Sequence, residues 1–310
     1  MIGTMKKICL TLGLIPALFS FVRAQAVKDI VLSSGGHYIV AEPKGAVTGV
    51  LVLAAGFGQR AEDTFPETKL PQAAYAHHIL TVSFAAGNKL YADSTVVAAL
   101  GAVLRDVTAR YKVGPDRFVL GGFSAGGMIV LRYAELCNQF PERFPIRPRG
   151  VFLVDSPIDI FTIWNSLEEN YNNKYSLPAV EEAAFAMQHI KNDYGIPGEN
   201  IPVYSELTAF SMNKAYGTNE QYLKQTAVRA YHDVDIAWRL NQRNQTVHNA
   251  NYEVTAELIN RLMLTGNTRA EFVQTFRTGY RANGQRHPHS WSIVDEKECI
   301  TWARGLLDTP

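Results

Sequence analysis

Along this chain, short unbroken apolar runs alternate with longer segments in which apolar residues recur every three or four positions. Gly49 to Ala54, Ile79 to Phe84, Arg117 to Phe123 and Val151 to Val154 are runs of the first kind. A strand with one wet face alternates apolar and polar residues. Unbroken runs therefore predict strands covered on both faces, as in a parallel sheet. Between them, Val96, Val97, Leu100, Val103, Leu104 and Val107 carry helical spacing, with Asp93 or Ser94 placed to cap the helix and Gly114-Pro115 to stop it. Gly126 to Asn138 reads as a second helix. Ile30–Leu32 and His37–Ala41 predict a hairpin about Ser33-Ser34-Gly35-Gly36. Further on, Ala227 to Tyr231 and Phe272 to Phe276 predict strands and Tyr252–Leu264 a helix. Asp295 to Leu307 predicts a closing helix, with Glu298 completing a capping-box-like start. Strands and helices in alternation predict an α/β protein with a mostly parallel central sheet flanked by helices.

The rhythm breaks at about 158–226. Helical patches such as Val180–Lys191 occur there, with Tyr- and Asn-rich stretches such as Tyr171-Asn172-Asn173-Lys174-Tyr175, but no clear buried strand. A structureless loop of that length is unusual in a compact domain. The expectation is a mostly helical insertion lying over the sheet as a lid.

The first 24 residues read as an address. Lys6 and Lys7 precede an apolar run from Ile8 to Val22, and Val22-Arg23-Ala24 and Ala24-Gln25-Ala26 offer small residues for cleavage. The run is short for a membrane span. Residues 1–24 are thus expected to be a signal peptide and 25–310 the functional domain, secreted or periplasmic, with no stable membrane insertion after cleavage. Losing Lys6, Lys7 and Arg23 leaves 27 basic against 29 acidic residues, so no basic face for nucleic acid is expected. Cleavage also removes Cys9, leaving Cys137 and Cys299, which read as packed thiols rather than a bridge. No clustered His/Cys spacing predicts a metal site. A composition of 47% hydrophobic and 19% charged residues excludes disordered, collagenous and coiled-coil proteins.

Gly122-Phe123-Ser124-Ala125-Gly126 is a G-x-S-x-G pentapeptide between a predicted buried strand and a predicted helix. That context is what a nucleophile elbow requires: a turn so tight that the residues flanking Ser124 must be small. The Ala125 N–H, at the helix start, would point where an oxyanion forms. The loop Gly56-Phe57-Gly58-Gln59 after an earlier strand offers a second donor, the Phe57 N–H, with Gln59 placed to steady it. A serine needs a base. In this arrangement the base follows the last strand, which leaves His287-Pro288-His289; His289 is favoured over His287. The acid is expected past the penultimate strand, in Tyr231-His232-Asp233-Val234-Asp235. Asp235 is favoured over Asp233, with Asp155 and Asp159, past the preceding strand, as a third possibility.

These residues resemble the α/β-hydrolase superfamily over roughly Ile30 to Leu307. Asp116-Arg117 followed by Gly122-Phe123-Ser124-Ala125-Gly126-Gly127 is similar to the elbow of its dienelactone-hydrolase, esterase and prolyl-peptidase branches. The resemblance implies a Ser124–Asp235–His289 triad, an oxyanion hole from the Phe57 and Ala125 amides, and no cofactor. It implies a serine hydrolase cleaving a carboxylic ester, on a small-molecule or carbohydrate substrate, through an acyl-enzyme. A peptidase or amidase of the same fold, and a non-catalytic binding protein retaining it, are the alternatives. The chain departs from the family pattern where Ala55-Gly56 stands in place of His-Gly before the oxyanion residue.

Overall fold

The structure, a computed structural model, describes residues 25–33 and 36–308, so the expected signal peptide and the middle of the hairpin turn lie outside the described residues. Strands β1 (Ala26–Val31), β2 (His37–Glu42) and β3 (Gly49–Ala54) are followed by a short helix α1 (Leu70–Tyr75), β4 (Ile79–Phe84) and α2 (Ser94–Tyr111). Asp93 caps α2, its Oδ1 accepting from the Thr95 and Val96 amides at 3.0 and 2.9 Å. Then come β5 (Phe118–Phe123), α3 (Ala125–Gln139) and β6 (Gly150–Val154). After α4 (Ile160–Asn173), α5 (Leu177–Tyr194) and α6 (Ile201–Leu207), the chain returns through β7 (Ala227–Asp233), α7 (Ile236–Arg243), α8 (Asn251–Leu264), β8 (Ala270–Thr275) and α9 (Glu296–Asp308).

The strands form one sheet in the order β1-β2-β4-β3-β5-β6-β7-β8. β2 is antiparallel to β1 and β4, and every pairing from β4 through β3 to β8 is parallel. The expected unbroken runs are the central strands, and β3, β4, β5, β6 and β7 are buried along their whole length. Two apolar layers cover the sheet. One holds Leu100, Leu104, Met128 and Leu258 from α2, α3 and α8; the other holds Leu70, Ile300 and Ala303 from α1 and α9. Cys137 and Cys299 are buried free thiols in these layers.

Residues 158–226 contain α4, α5 and α6 with short 3-10 turns, and no strand among the described residues. The segment is not a loose cover. Ile160, Trp164, Ile190, Tyr204 and Phe210 are part of the core. Arg261 of α8 ties it down, donating to the carbonyls of Ser211 at 2.9 Å and Met212 at 2.7 Å. Helix α7 had no signature in the chain because it buries none of its residues fully, and its Ile236 and Leu240 are each 55% exposed.

Candidate active site

Ser124 stands between β5 and α3 at φ 53° and ψ −129°, outside the regions a side-chain-bearing residue prefers. The turn is forced by close packing. A Cβ on Gly122 would run into the backbone of Gly126, and one on Gly126 into the carbonyls of Ala54 and Ala55. The Ser124 amide donates to the Val154 carbonyl at 3.1 Å, fixing the elbow to the end of β6. The Ser124 residue is partly exposed between buried neighbours. Strain of this kind persists where surrounding contacts over-determine it, and it raises the hydroxyl above the sheet edge.

The loop after β3 lies against the elbow. A Cβ on Gly56 would come 3.3 Å from the Ser124 Cβ. Gln59 steadies this loop as expected, its Oε1 accepting from the Gly56 amide at 2.8 Å and its amide donating to the Gly56 carbonyl at 3.1 Å. The Gly58 amide donates to the Gly87 carbonyl at 2.9 Å. The Phe57 ring packs against Phe185 of α5 at 5.8 Å between centroids, joining the loop to the helical segment. The Phe57 and Ala125 amides donate to no other group among the described residues, whereas the amides of Gly56, Gly58 and Ser124 are engaged.

His289 lies between β8 and α9, its ring against Phe123 at 4.6 Å between centroids. Its Nδ1 is 2.7 Å from Asp155 Oδ2. Ser124, Asp155, His287 and His289 line one cavity with residues of α4, α5 and α7. The geometry thus corrects the expected partner of His289: it is Asp155, at the end of β6, and not Asp235. The reason lies in what each acid already holds: the carboxylates at the end of β7 are engaged by Arg286, while Asp155, past the strand beside β5, faces the imidazole. Asp235 instead caps α7, accepting from the Trp238 amide at 3.0 Å, and takes an ion pair from Arg286 at 3.1 Å. Asp233 pairs with Arg286 at 2.9 Å, and Asp159 caps α4 through the Phe161 amide at 3.0 Å.

Asp155 is held on all sides. Its φ is 41°, again in the left-handed region. Its amide donates to the Tyr231 carbonyl at 3.0 Å and its carbonyl accepts from Asn251 Nδ2 at 2.8 Å. Its Oδ1 is 2.9 Å from Nδ1 of His232, a fully buried residue of β7. A proton on His232 Nδ1 donates to Asp155, and Nε2 accepts from the Thr255 hydroxyl at 2.6 Å. Burial alone would raise the Asp155 pKa, but the hydrogen bonds it accepts from His232 and then His289 hold the carboxyl well below the ordinary range. Sequence reasoning missed His232. Its signal was present only as a polar residue inside a fully buried strand.

His287 takes a different part. Its Nε2 is 2.7 Å from Arg243 Nη2, and its Nδ1 is 3.2 Å from the His289 amide. Desolvation first, and then the charges of Arg281, His289 and Arg243, lower its pKa to about 3, so it stays neutral near pH 7. Among the described residues no group of three or more His, Cys, Asp or Glu could hold a metal ion.

No protein-family profile matches this sequence, and no curated protein matches it in sequence. The likeness to solved structures is one of shape. One of the fungal esterases of Rhizomucor miehei matches with a TM-score of 0.59 at 12% identity, over 92% of this chain and 84% of the esterase. A hyperthermophilic esterase from the archaeon Pyrobaculum calidifontis matches with a TM-score of 0.56 at 15% identity, over 91% and 83%. A thermostable carboxylesterase cloned from a metagenomic library matches with a TM-score of 0.55 at 18% identity, over 92% and 90%. The eight-stranded, mostly parallel sheet with flanking helices and a helical insertion is the α/β-hydrolase fold.

Proposed function

We propose that this protein is a serine hydrolase that cleaves a carboxylic ester through an acyl-enzyme intermediate on Ser124. The observation that carries the reading is the Asp155–His289 pair at 2.7 Å, lining one cavity with the elbow serine. In this reading His289 Nε2 takes the Ser124 proton as the oxygen attacks the acyl carbonyl. Asp155, kept ionised, holds the imidazole in the Nδ1–H tautomer and stabilises the imidazolium that forms. The Phe57 and Ala125 amides receive the oxyanion, each donor contributing about 3 kcal/mol to the barrier reduction. His289 then gives the proton to the departing alkoxide and afterwards deprotonates a water that releases the acyl group. No metal or organic cofactor enters this cycle.

His232 acts through Asp155, taking up the carboxylate oxygen that His289 does not use. The solved structures of like shape include esterases, which favours esters over amides as first substrates. The apolar run with Lys6 and Lys7 before it supports export to a secreted or periplasmic location. Hydrolysis of 4-nitrophenyl acetate and butyrate by the purified protein tests the reading. It predicts burst kinetics, acylated Ser124 by mass after acid quench, and loss of both in Ser124→Ala. Absence of turnover in the folded wild type, or turnover retained in Ser124→Ala, overturns it.

A further inference from the structure

The cavity before Ser124 contains positive charge that the protein does not neutralise. Elsewhere, the well-buried arginines meet carboxylates: Arg132 pairs with Glu135 at 3.2 Å, Arg229 with Glu298 at 2.6 Å, and Arg261 with Glu257 at 2.9 Å. Around the cavity they do not. Arg239 Nη1 donates to Gln245 Oε1 at 3.0 Å and to the Asn249 carbonyl at 3.4 Å, both uncharged. Arg243 reaches only the neutral His287 ring at 2.7 Å, with its guanidinium 5.7 Å from the centre of Trp238. Even that partner is shared badly. A neutral imidazole has one nitrogen that accepts, yet His287 faces N–H groups from both Arg243 and the His289 backbone.

Arg281, behind the cavity wall, is a third arginine without an ion pair among the described residues. Its guanidinium lies 5.4 Å from the centre of the Phe123 ring, which also carries His289, and has no hydrogen-bond acceptor among the described residues. Burial lowers its pKa, against the charges of Glu67, Glu182 and Asp155, none of which pairs with it among the described residues. The acids nearby do not cancel the three. Asp155 is taken by two histidines. Glu182, on the cavity wall, is exposed and makes no ion pair among the described residues. Glu67 accepts from the Ala282 amide at 3.2 Å. Two cavity amides, by contrast, are spent on the protein itself: Gln245 Nε2 donates to Asn170 Oδ1 at 2.6 Å and Asn251 Nδ2 to the Asp155 carbonyl at 2.8 Å. The unused cationic capacity of this cavity is on planar donors, which suits a carboxylate.

We propose that the ester cleaved here carries a carboxylate, seated on Arg243 and Arg239 of the cavity wall, with Arg281 adding positive charge from behind the wall. The inference rests on the serine-hydrolase reading and deepens it by naming the substrate class: an ester of an acid or alcohol that bears a second, ionised carboxyl group. Two matched ester pairs test it with the purified protein. Mono-4-nitrophenyl glutarate against 4-nitrophenyl butyrate places the charge on the acyl side. 4-Acetoxybenzoate against its methyl ester places it on the alcohol side. The result expected is a kcat/KM at least tenfold higher for the anionic member of one pair, which identifies the side. That ratio falls as ionic strength is raised, falls about tenfold in Arg243→Gln, and is better retained in Arg243→Lys. Labelling of Ser124 by a fluorophosphonate runs alongside. If Ser124 labels but neither anionic ester is favoured, or neither is turned over, this inference is overturned and the serine-hydrolase reading stands. If Ser124 does not label and no ester is cleaved, both fall together.

Discussion

β6 and β7 lie side by side in the sheet, and acids stand at the carboxyl end of each, but the two clusters answer to different partners. Past β6, Asp155 meets imidazoles, His232 at 2.9 Å and His289 at 2.7 Å. At the end of β7, Asp233 and Asp235 meet Arg286 at 2.9 and 3.1 Å. Asp233 also accepts from the backbone amides of Arg277, Thr278 and Gly279 at 2.8, 3.0 and 2.8 Å. Guanidinium holds its protons throughout the accessible pH range, so an Arg–Asp cluster can tie down a loop but cannot pass a proton. Imidazole can do so near neutral pH. The acids at the end of β7 therefore build the turn that carries His287 and His289, and in the proposed mechanism the acid past β6 serves the chemistry. A carboxylate's role follows its partner more closely than its rank along the chain.

The largest effects should separate these clusters outright. Asp155→Asn leaves the shape but imposes the wrong tautomer on His289, and kcat/KM should fall by about 10³–10⁴. Steady-state kinetics on an activated ester, beside a thermal melt, checks this. Next in size is His232→Phe, which strands Asp155 Oδ1 and Thr255. It should lower kcat about tenfold with KM little changed, and His232→Gln, which can still donate, should lose less.

A third effect is read in stability. The folded His287 pKa is near 3, below its ordinary value of 6.5. Between those values the unfolded chain binds a proton that the folded chain does not, so stability is lost as pH falls from about 6.5 towards 3. Asp155, with its depressed pKa, loses stability in the same direction below the ordinary carboxylate range. Denaturant midpoints measured from pH 7 to 4 should drop less for His287→Gln than for wild type; parallel curves would count against the assignment. The smallest effect is that of Asp235→Asn. It keeps a capping oxygen for α7, so kcat/KM should stay within about threefold and stability within about 1 kcal/mol of wild type.

Much of this was legible in the chain. The unbroken apolar runs announced the central strands because a strand covered on both faces needs no polar alternation. The elbow was readable because Gly122 and Gly126 have no room for a side chain. His289 could be placed because it lies between the last strand and the last helix. Asp155 was only a third choice, since spacing along the chain cannot tell which carboxylates Arg286 takes and which faces His289. Helix α7, with Arg239 and Arg243, left no trace because it buries no apolar stripe. His232 was hidden for the opposite reason: its polar ring lies in a strand that is otherwise read as core.

The central claim is that Asp155, and not the acids at the end of β7, activates Ser124 through His289. The most direct test is the rate of fluorophosphonate labelling, followed by intact mass, in wild type, Ser124→Ala, Asp155→Asn and Asp235→Asn. The account predicts one adduct on wild type and none on Ser124→Ala. Labelling should be about a thousandfold slower in Asp155→Asn and close to the wild-type rate in Asp235→Asn. Fast labelling of Asp155→Asn together with its loss in a folded Asp235→Asn would contradict the account.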